Sequence, residues 1–81
     1  MSQKIMDQFL DFVSRNFLVE KEEIELDKSL IDEGIIDSFG LLEIATFIEK
    51  EYGIIVSEEH MNRDNFGSAL KIVDFIMREK K

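Results

Sequence analysis

The chain has no cysteine, which excludes disulfide frameworks, thiolate chemistry and cysteine-held metals together. It has no proline, so long helices can run uninterrupted. Histidine occurs once, at position 60, and no Gly-x-Ser-x-Gly elbow is present. A serine hydrolase therefore lacks its base and its strained nucleophile turn. Basic residues are in the minority: 10 Lys and Arg stand against 18 Asp and Glu, for a formal charge of −8 and a pI near 4.5. Such a chain repels phosphate backbones and anionic lipid, so nucleic acid and membrane insertion are not expected; a basic protein surface suits it better. No apolar run approaches membrane-spanning length. The start, Met1-Ser2-Gln3-Lys4 followed by an apolar run broken by Asp7 and Asp11, is not a secretory pattern. A cytoplasmic location is the expectation.

What is present suits one small folded unit over residues 1–81. The apolar fraction of 44% is ordinary for a folded chain, and the length implies a stability of about 4–12 kcal/mol. Over residues 2–17, Ile5, Phe9, Phe12, Val13 and Phe17 recur at helical spacing, widened by Met6 and Leu10, with Ser2 as N-cap. Residues 18–37 show no sustained period. Twenty residues is long for a connection without anchors, so Ile24, Leu26, Leu30, Ile31, Ile35 and Ile36 are expected to tuck into the core. Ser29 and Asp32 carry capping-box spacing for a single turn, which Gly34 would end in a left-handed conformation.

A second helix is predicted from Ser38 to Tyr52, between an Asp37 N-cap and a Gly53 stop. Its expected core face is Leu42, Ala45, Ile48 and Tyr52, widened by Leu41 and Ile44. Phe39 and Thr46 fall outside that face. Ile54-Ile55-Val56 reads as a buried extended connection, followed by a short helix from Ser57 to about Asp64. A last helix spans Ser68 to about Glu79, with Ala69, Ile72, Val73 and Ile76 inward, Phe75 and Met77 at the edges, and Arg78, Lys80 and Lys81 at the cation-favouring end. The expected architecture is all-α: a bundle of three main helices plus one short helix.

The charge is unevenly placed. Residues 18–37 carry eight acids and two lysines, and residues 38–52 carry three glutamates and Lys50; acids and bases cancel elsewhere. The acidic segment is not an EF-hand: counted from Asp27, Ile31 stands at an oxygen-ligand position, Asp32 at the sharp-turn glycine, and Ser38 where a bidentate Glu belongs. No metal site is expected. Gly34, Gly40, Gly53 and Gly67 are too scattered to form a phosphate-cradling loop. Ser38 is the residue of interest, because a helix start is where free N–H groups and the dipole stabilise a phosphate group. Taken alone, Asp37-Ser38 also reads as an ordinary cap.

The segment Asp27-Lys28-Ser29-Leu30-Ile31-Asp32-Glu33-Gly34-Ile35-Ile36-Asp37-Ser38-Phe39-Gly40-Leu41-Leu42-Glu43, continuing in register through Phe47 to Ile54, resembles the signature of the acyl carrier protein family. The resemblance covers essentially the whole chain. It implies that Ser38 carries a 4′-phosphopantetheine arm, transferred from coenzyme A by a phosphopantetheinyl transferase, whose thiol holds acyl groups as thioesters. It implies that Asp37 helps the transferase hold magnesium, that Phe39 is the apolar residue following the serine, and that Glu43, Glu49 and Glu51 meet partner enzymes. Phe39-Gly40, where fatty-acid synthesis carriers commonly have Leu then Asp, is closer to D-alanyl and stand-alone aminoacyl carriers.

The function expected from this resemblance is a non-catalytic carrier of acyl or aminoacyl groups in a specialised pathway. An acyl- or aminoacyl-loading ligase and downstream acyl-processing enzymes would be its partners. One alternative is a D-alanyl carrier for teichoic acid modification. Another, from a different class, is an unmodified acidic interaction module on the same fold.

Overall fold

The computed structural model describes residues 2–80; Lys81, expected at the cationic end of the last helix, lies outside them. The elements run α1 (Gln3–Phe17), a 3₁₀ turn (Lys21–Glu23), α2 (Ser38–Tyr52), a 3₁₀ turn (Glu58–His60), α3 (Arg63–Phe66) and α4 (Ala69–Glu79). Among the described residues there is no strand, and three long helices with one short helix are what the periodicity predicts.

Local chemistry sets the ends of these helices. Ser2 Oγ accepts from Ile5 N–H at 3.2 Å to start α1, and Ser68 Oγ accepts from Lys71 N–H at 3.2 Å to start α4. Each satisfies one of the N–H groups that a helix start leaves without a partner. Helix α2 stops at Gly53, whose φ of 66° is the left-handed conformation expected there. Helix α1 stops at Leu18, also left-handed at φ 55° although it is not glycine, and 93% exposed.

The core forms between three helices. Phe9 and Val13 of α1, Ile44 and Ile48 of α2, and Ile72, Val73 and Ile76 of α4 are fully buried. Helices α1 and α2 are antiparallel: Tyr52 O–H donates to Gln8 Oε1 at one end, while Phe17 lies against Gly40 at the other. Between them, Phe12 and Phe47 stack with ring centroids 4.3 Å apart. Burial pushes the Tyr52 phenol above its ordinary pKa range, and the charge of Glu51 adds to the effect.

The segment between α1 and α2 is pinned at both ends and in its middle. Ile24, Leu30 and Ile36 are buried in the core. Leu30 O accepts from both Ile35 and Ile36 N–H, at 3.0 and 3.3 Å. Leu26 O accepts from Leu70 N–H at 3.0 Å, which satisfies an orphan donor in the first turn of α4. The expected turn is present: Ser29 Oγ accepts from Asp32 N–H, and Gly34 is left-handed at φ 76°.

Several expectations need correction. Leu26 and Ile31 are exposed, at 37% and 43%; Leu26 anchors through its backbone instead. On α2 the core face is Gly40, Ile44, Ala45 and Ile48, and Leu42 is 55% exposed. Phe75 is buried, not at an edge, packed between Phe66 and His60 with centroids 5.4 and 5.1 Å away. Ile54 is buried but Ile55 is 82% exposed. The helix expected from Ser57 to Asp64 is split in two. Asn62 is extended and caps its own helix by accepting from Asn65 N–H, while Ser57 N–H is taken by His60 Nδ1. Two caps five residues apart cannot serve one continuous helix.

Candidate functional site

The start of α2 is built by Asp37. Its backbone is extended, and its Oδ1 accepts from Gly40 N–H at 2.9 Å. Ser38 is thereby the first helical residue, exposed to solvent, as is Asp37 itself. Phe39, the next residue, is 73% exposed. At Gly40 the surface closes: a Cβ there would sit 2.8 Å from Ile36 Cβ and 3.2 Å from Phe17 Cε1. Glycine at this position therefore lets the first turn of α2 press directly onto the end of α1 and the incoming loop. The fold buries the third residue of the helix and leaves Ser38 and Phe39 standing out beside it.

The surroundings are negative. Both lysines of the 18–37 segment are held by acids: Lys21 pairs with Asp11, and Lys28 with Glu25 at 3.5 Å. The hydrogen bond to Asp11 holds the Lys21 ammonium above its ordinary pKa range. Asp32 faces Arg63 of α3 at 3.8 Å. The segment thus keeps an acidic excess on the side of the molecule that leads into Ser38.

The glutamates expected on a partner face part company. Glu43 and Glu51 are exposed and both line the groove between α1 and α2. Glu49, though exposed, is engaged: its Oε2 accepts from Val56 N–H at 3.0 Å, tying down the segment that leaves α2. Sequence reasoning missed Leu42 as an outward residue. With Phe39 and Thr46 it makes an exposed strip at i, i+3 and i+7. It also missed the contribution of α1, whose Phe12 and Asn16 form the opposite wall of that groove. The signal available for Leu42 was that Phe39 and Thr46, already outside the expected core face, flank it at helical spacing. His60 is half-buried, and among the described residues no cluster of His, Asp and Glu could hold a metal ion. No helix of the described residues is long and apolar enough to cross a membrane.

Three comparisons bear on this site. The family described as "Phosphopantetheine attachment site" matches residues 7–76. The D-alanyl carrier protein of Bacillus velezensis is 29% identical over 72 residues, spanning 89% of this chain and 87% of that protein. The D-alanyl carrier protein of Streptococcus mutans is 28% identical over 72 residues, spanning 89% and 90%. A chain in a structure titled "Crystal structure of FAD-dependent dehydrogenase" superposes with a TM-score of 0.71 at 20% identity, over 84% of this chain and 97% of that one; at that identity the likeness concerns the fold. The family is one of carriers, not catalysts, that work with transferase and ligase partners. With an all-helical fold and a match across most of its length, this chain belongs to the phosphopantetheine-attachment family: it is an acyl carrier protein, close to the D-alanyl carriers, with a covalently bound 4′-phosphopantetheine.

Proposed function

We propose that Ser38 is the attachment residue and that the cargo is an aminoacyl group, D-alanine being the leading candidate. The observation that carries the first part is the exposed hydroxyl at the first position of α2, directly after its Asp37 cap. In the transfer, Ser38 Oγ bonds to the β-phosphorus of coenzyme A. The phosphoanhydride P–O bond breaks, 3′,5′-ADP leaves with the electron pair, and the hydroxyl proton passes to a base of the transferase. The phosphodiester formed there lies at the positive end of α2, where helix-head N–H groups and the dipole favour an anion. Asp37 commits Oδ1 to its cap and keeps Oδ2 for the transferase's magnesium. Once attached, the arm supplies the thiol on which an acyl group is held as a thioester.

The aminoacyl part rests on the Asp37-Ser38-Phe39-Gly40 register and on relatives whose names specify D-alanine. Phe39, Glu43 and Glu51 form the face offered to the transferase and ligase, a negative surface suited to basic partners. Glu49 serves that face indirectly, by holding the chain after α2.

Intact-mass measurement tests both parts. Purified protein incubated with coenzyme A, magnesium and a broad-specificity transferase gains one phosphopantetheine, and the Ser38→Ala variant gains none. The loaded protein then goes to a D-alanine-activating ligase and, separately, to a fatty-acyl ligase, each with ATP. Transfer by the first alone supports the aminoacyl reading, and transfer by the second alone overturns it. A chain that takes no arm would be an acidic interaction module on a carrier fold.

A further inference from the structure

Two apolar recesses flank α2, one on each side. The cleft toward α3 is small, 190 Å³, lined by Ile31, Leu41, Met61 and Phe66, and Arg63 on its wall pairs with Asp32, the residue next to Ile31. The groove toward α1 is larger, 370 Å³, and lined by Phe12, Leu42 and Phe47 with Asn16 and Thr46. Only the second is as large as an ordinary small-molecule site, ~300 Å³ or more. It also adjoins the attachment region. A neighbouring recess of 620 Å³ takes in Asp37, Phe39 and Gly40, the residues around Ser38, and shares Asn16 and Glu43 with it. Because α1 and α2 are antiparallel, the joined groove follows α2 from its first turn toward Lys50 and Glu51.

We propose that the α1–α2 groove is the resting site of the pantetheine arm, with the thiol end beside Phe47 and Lys50. The proposal rests on Ser38 as the attachment residue. The lengths agree. From Ser38 to Phe47 is about 14 Å along the helix axis, and to Lys50 about 18 Å. The arm, extended over about thirteen bonds from phosphorus to sulfur, reaches roughly 15 Å, as an extended peptide with that many backbone bonds does. The chemistry agrees as well. The arm alternates apolar carbon with two amides. The groove offers the Leu42, Phe12 and Phe47 side chains between two polar groups: Asn16 Nδ2 donates one of its two N–H groups to Phe12 O at 2.8 Å, and Thr46 Oγ1 donates to Leu42 O at 3.0 Å. Asn16 Oδ1 and the Thr46 oxygen are left as acceptors for the amide N–H groups. The exposure of Leu42, which the core does not account for, follows from this use.

The absence of cysteine makes the test clean, because the arm's thiol is the only thiol in the modified protein. Backbone amide spectra are recorded for the unmodified protein, for the modified protein, and for the modified protein carrying a maleimide spin label on that thiol. Mass spectrometry first establishes that one arm is present and that Ser38→Ala takes none, so failure of the attachment reading is seen separately. The expected result is shift changes at Asn16, Thr46 and Phe47 on modification, and loss of most signal intensity at Phe47, Lys50 and Glu51 with the label. Thr46→Trp, an exposed substitution that fills the groove, restores those intensities while circular dichroism stays helical. Broadening centred on Ile31, Met61 and Phe66, broadening confined to the residues next to Ser38, or a pattern unchanged by Thr46→Trp overturns the proposal.

Discussion

Helices α4 and α2 use apolar residues in opposite ways. In α4 the buried set is Ala69, Ile72, Val73, Phe75 and Ile76, and of its apolar residues only Met77 is exposed. In α2 the apolar residues go nearly all round: Ile44, Ala45 and Ile48 are inside, while Phe39 and Leu42 are 73% and 55% exposed. A helix that only supports the core has no use for apolar carbon on its solvent side. The difference teaches that α4 keeps its apolar residues for the core, whereas α2 serves the core on one face and presents apolar carbon to solvent on the other.

The largest effect that could break this distinction is on stability. Ile48→Ala removes a fully buried side chain from the three-helix core and should cost about 2–5 kcal/mol, a large part of the total for a chain of this size. Leu42→Ala on the same helix should cost under about 1 kcal/mol, because water already covers much of the side chain and alanine is the better helix former. Urea unfolding followed by circular dichroism measures both. Equal losses would mean that Leu42 is structural after all, and the two-faced description of α2 would fail.

This contrast also explains what could be read from the chain alone. The inward faces of α1 and α4 were legible because their apolar residues keep to one stripe; Phe9, Val13, Ile72 and Val73 are all fully buried as the spacing predicts. Both caps and both glycine stops around residues 18–53 were legible for a similar reason, since Asp37, Ser29, Gly34 and Gly53 have few other local uses. The inner face of α2 was legible only in part: Ile44, Ala45 and Ile48 are buried as expected, whereas Leu42 is exposed and Gly40 was not foreseen. Leucine and isoleucine occur at 41, 42, 44 and 48, and a period cannot be taken from a helix that is apolar on both sides. The split of the helix after Ser57 was hidden too, because two successive caps, Ser57 and Asn62, look like one polar stretch in sequence. The family likeness was legible only through the whole register of residues 27–54, since an Asp-Ser pair alone describes any helix start.

Gly40 sits where the two faces of α2 meet, and it sharpens the comparison at a smaller scale. An added Cβ would lie 2.8 Å from Ile36 Cβ, a distance that forces the loop or the helix to shift. Gly40→Ala gains about 1 kcal/mol of intrinsic helix propensity, but overpacking costs about 1–3 kcal/mol. The backbone just before Ser38 moves in either case. The expected outcome is a small net loss of stability together with slower phosphopantetheine transfer, read by urea unfolding and by timed intact mass. Gain of stability with an unchanged transfer rate would show that the close approach of α2 to Ile36 and Phe17 is not what positions the attachment turn.

The smallest effects should separate two glutamates that the sequence places on one face. Glu43 lines the outer groove of α2, whereas Glu49 accepts from Val56 N–H. Glu43→Lys leaves that hydrogen bond alone, so stability should hardly change. If the proposed docking face is right, it puts a positive charge where a basic transferase would approach, at an expected cost of ~0.2–1 kcal/mol in the encounter. Transfer to Ser38 should slow by a factor of a few, and added salt should narrow the gap to wild type because exposed charges are screened. Glu49→Lys makes the same change in net charge but removes the Val56 acceptor, so it should lower stability by about 0.5–1.5 kcal/mol and slow transfer less. Timed intact mass at two salt concentrations, beside urea unfolding, resolves the pair. If Glu49→Lys slows transfer as much as Glu43→Lys and unfolds like wild type, the hydrogen bond to Val56 is incidental. Both carboxylates then belong to one docking face, and the outer surface of α2 reaches further round the helix than the groove alone implies.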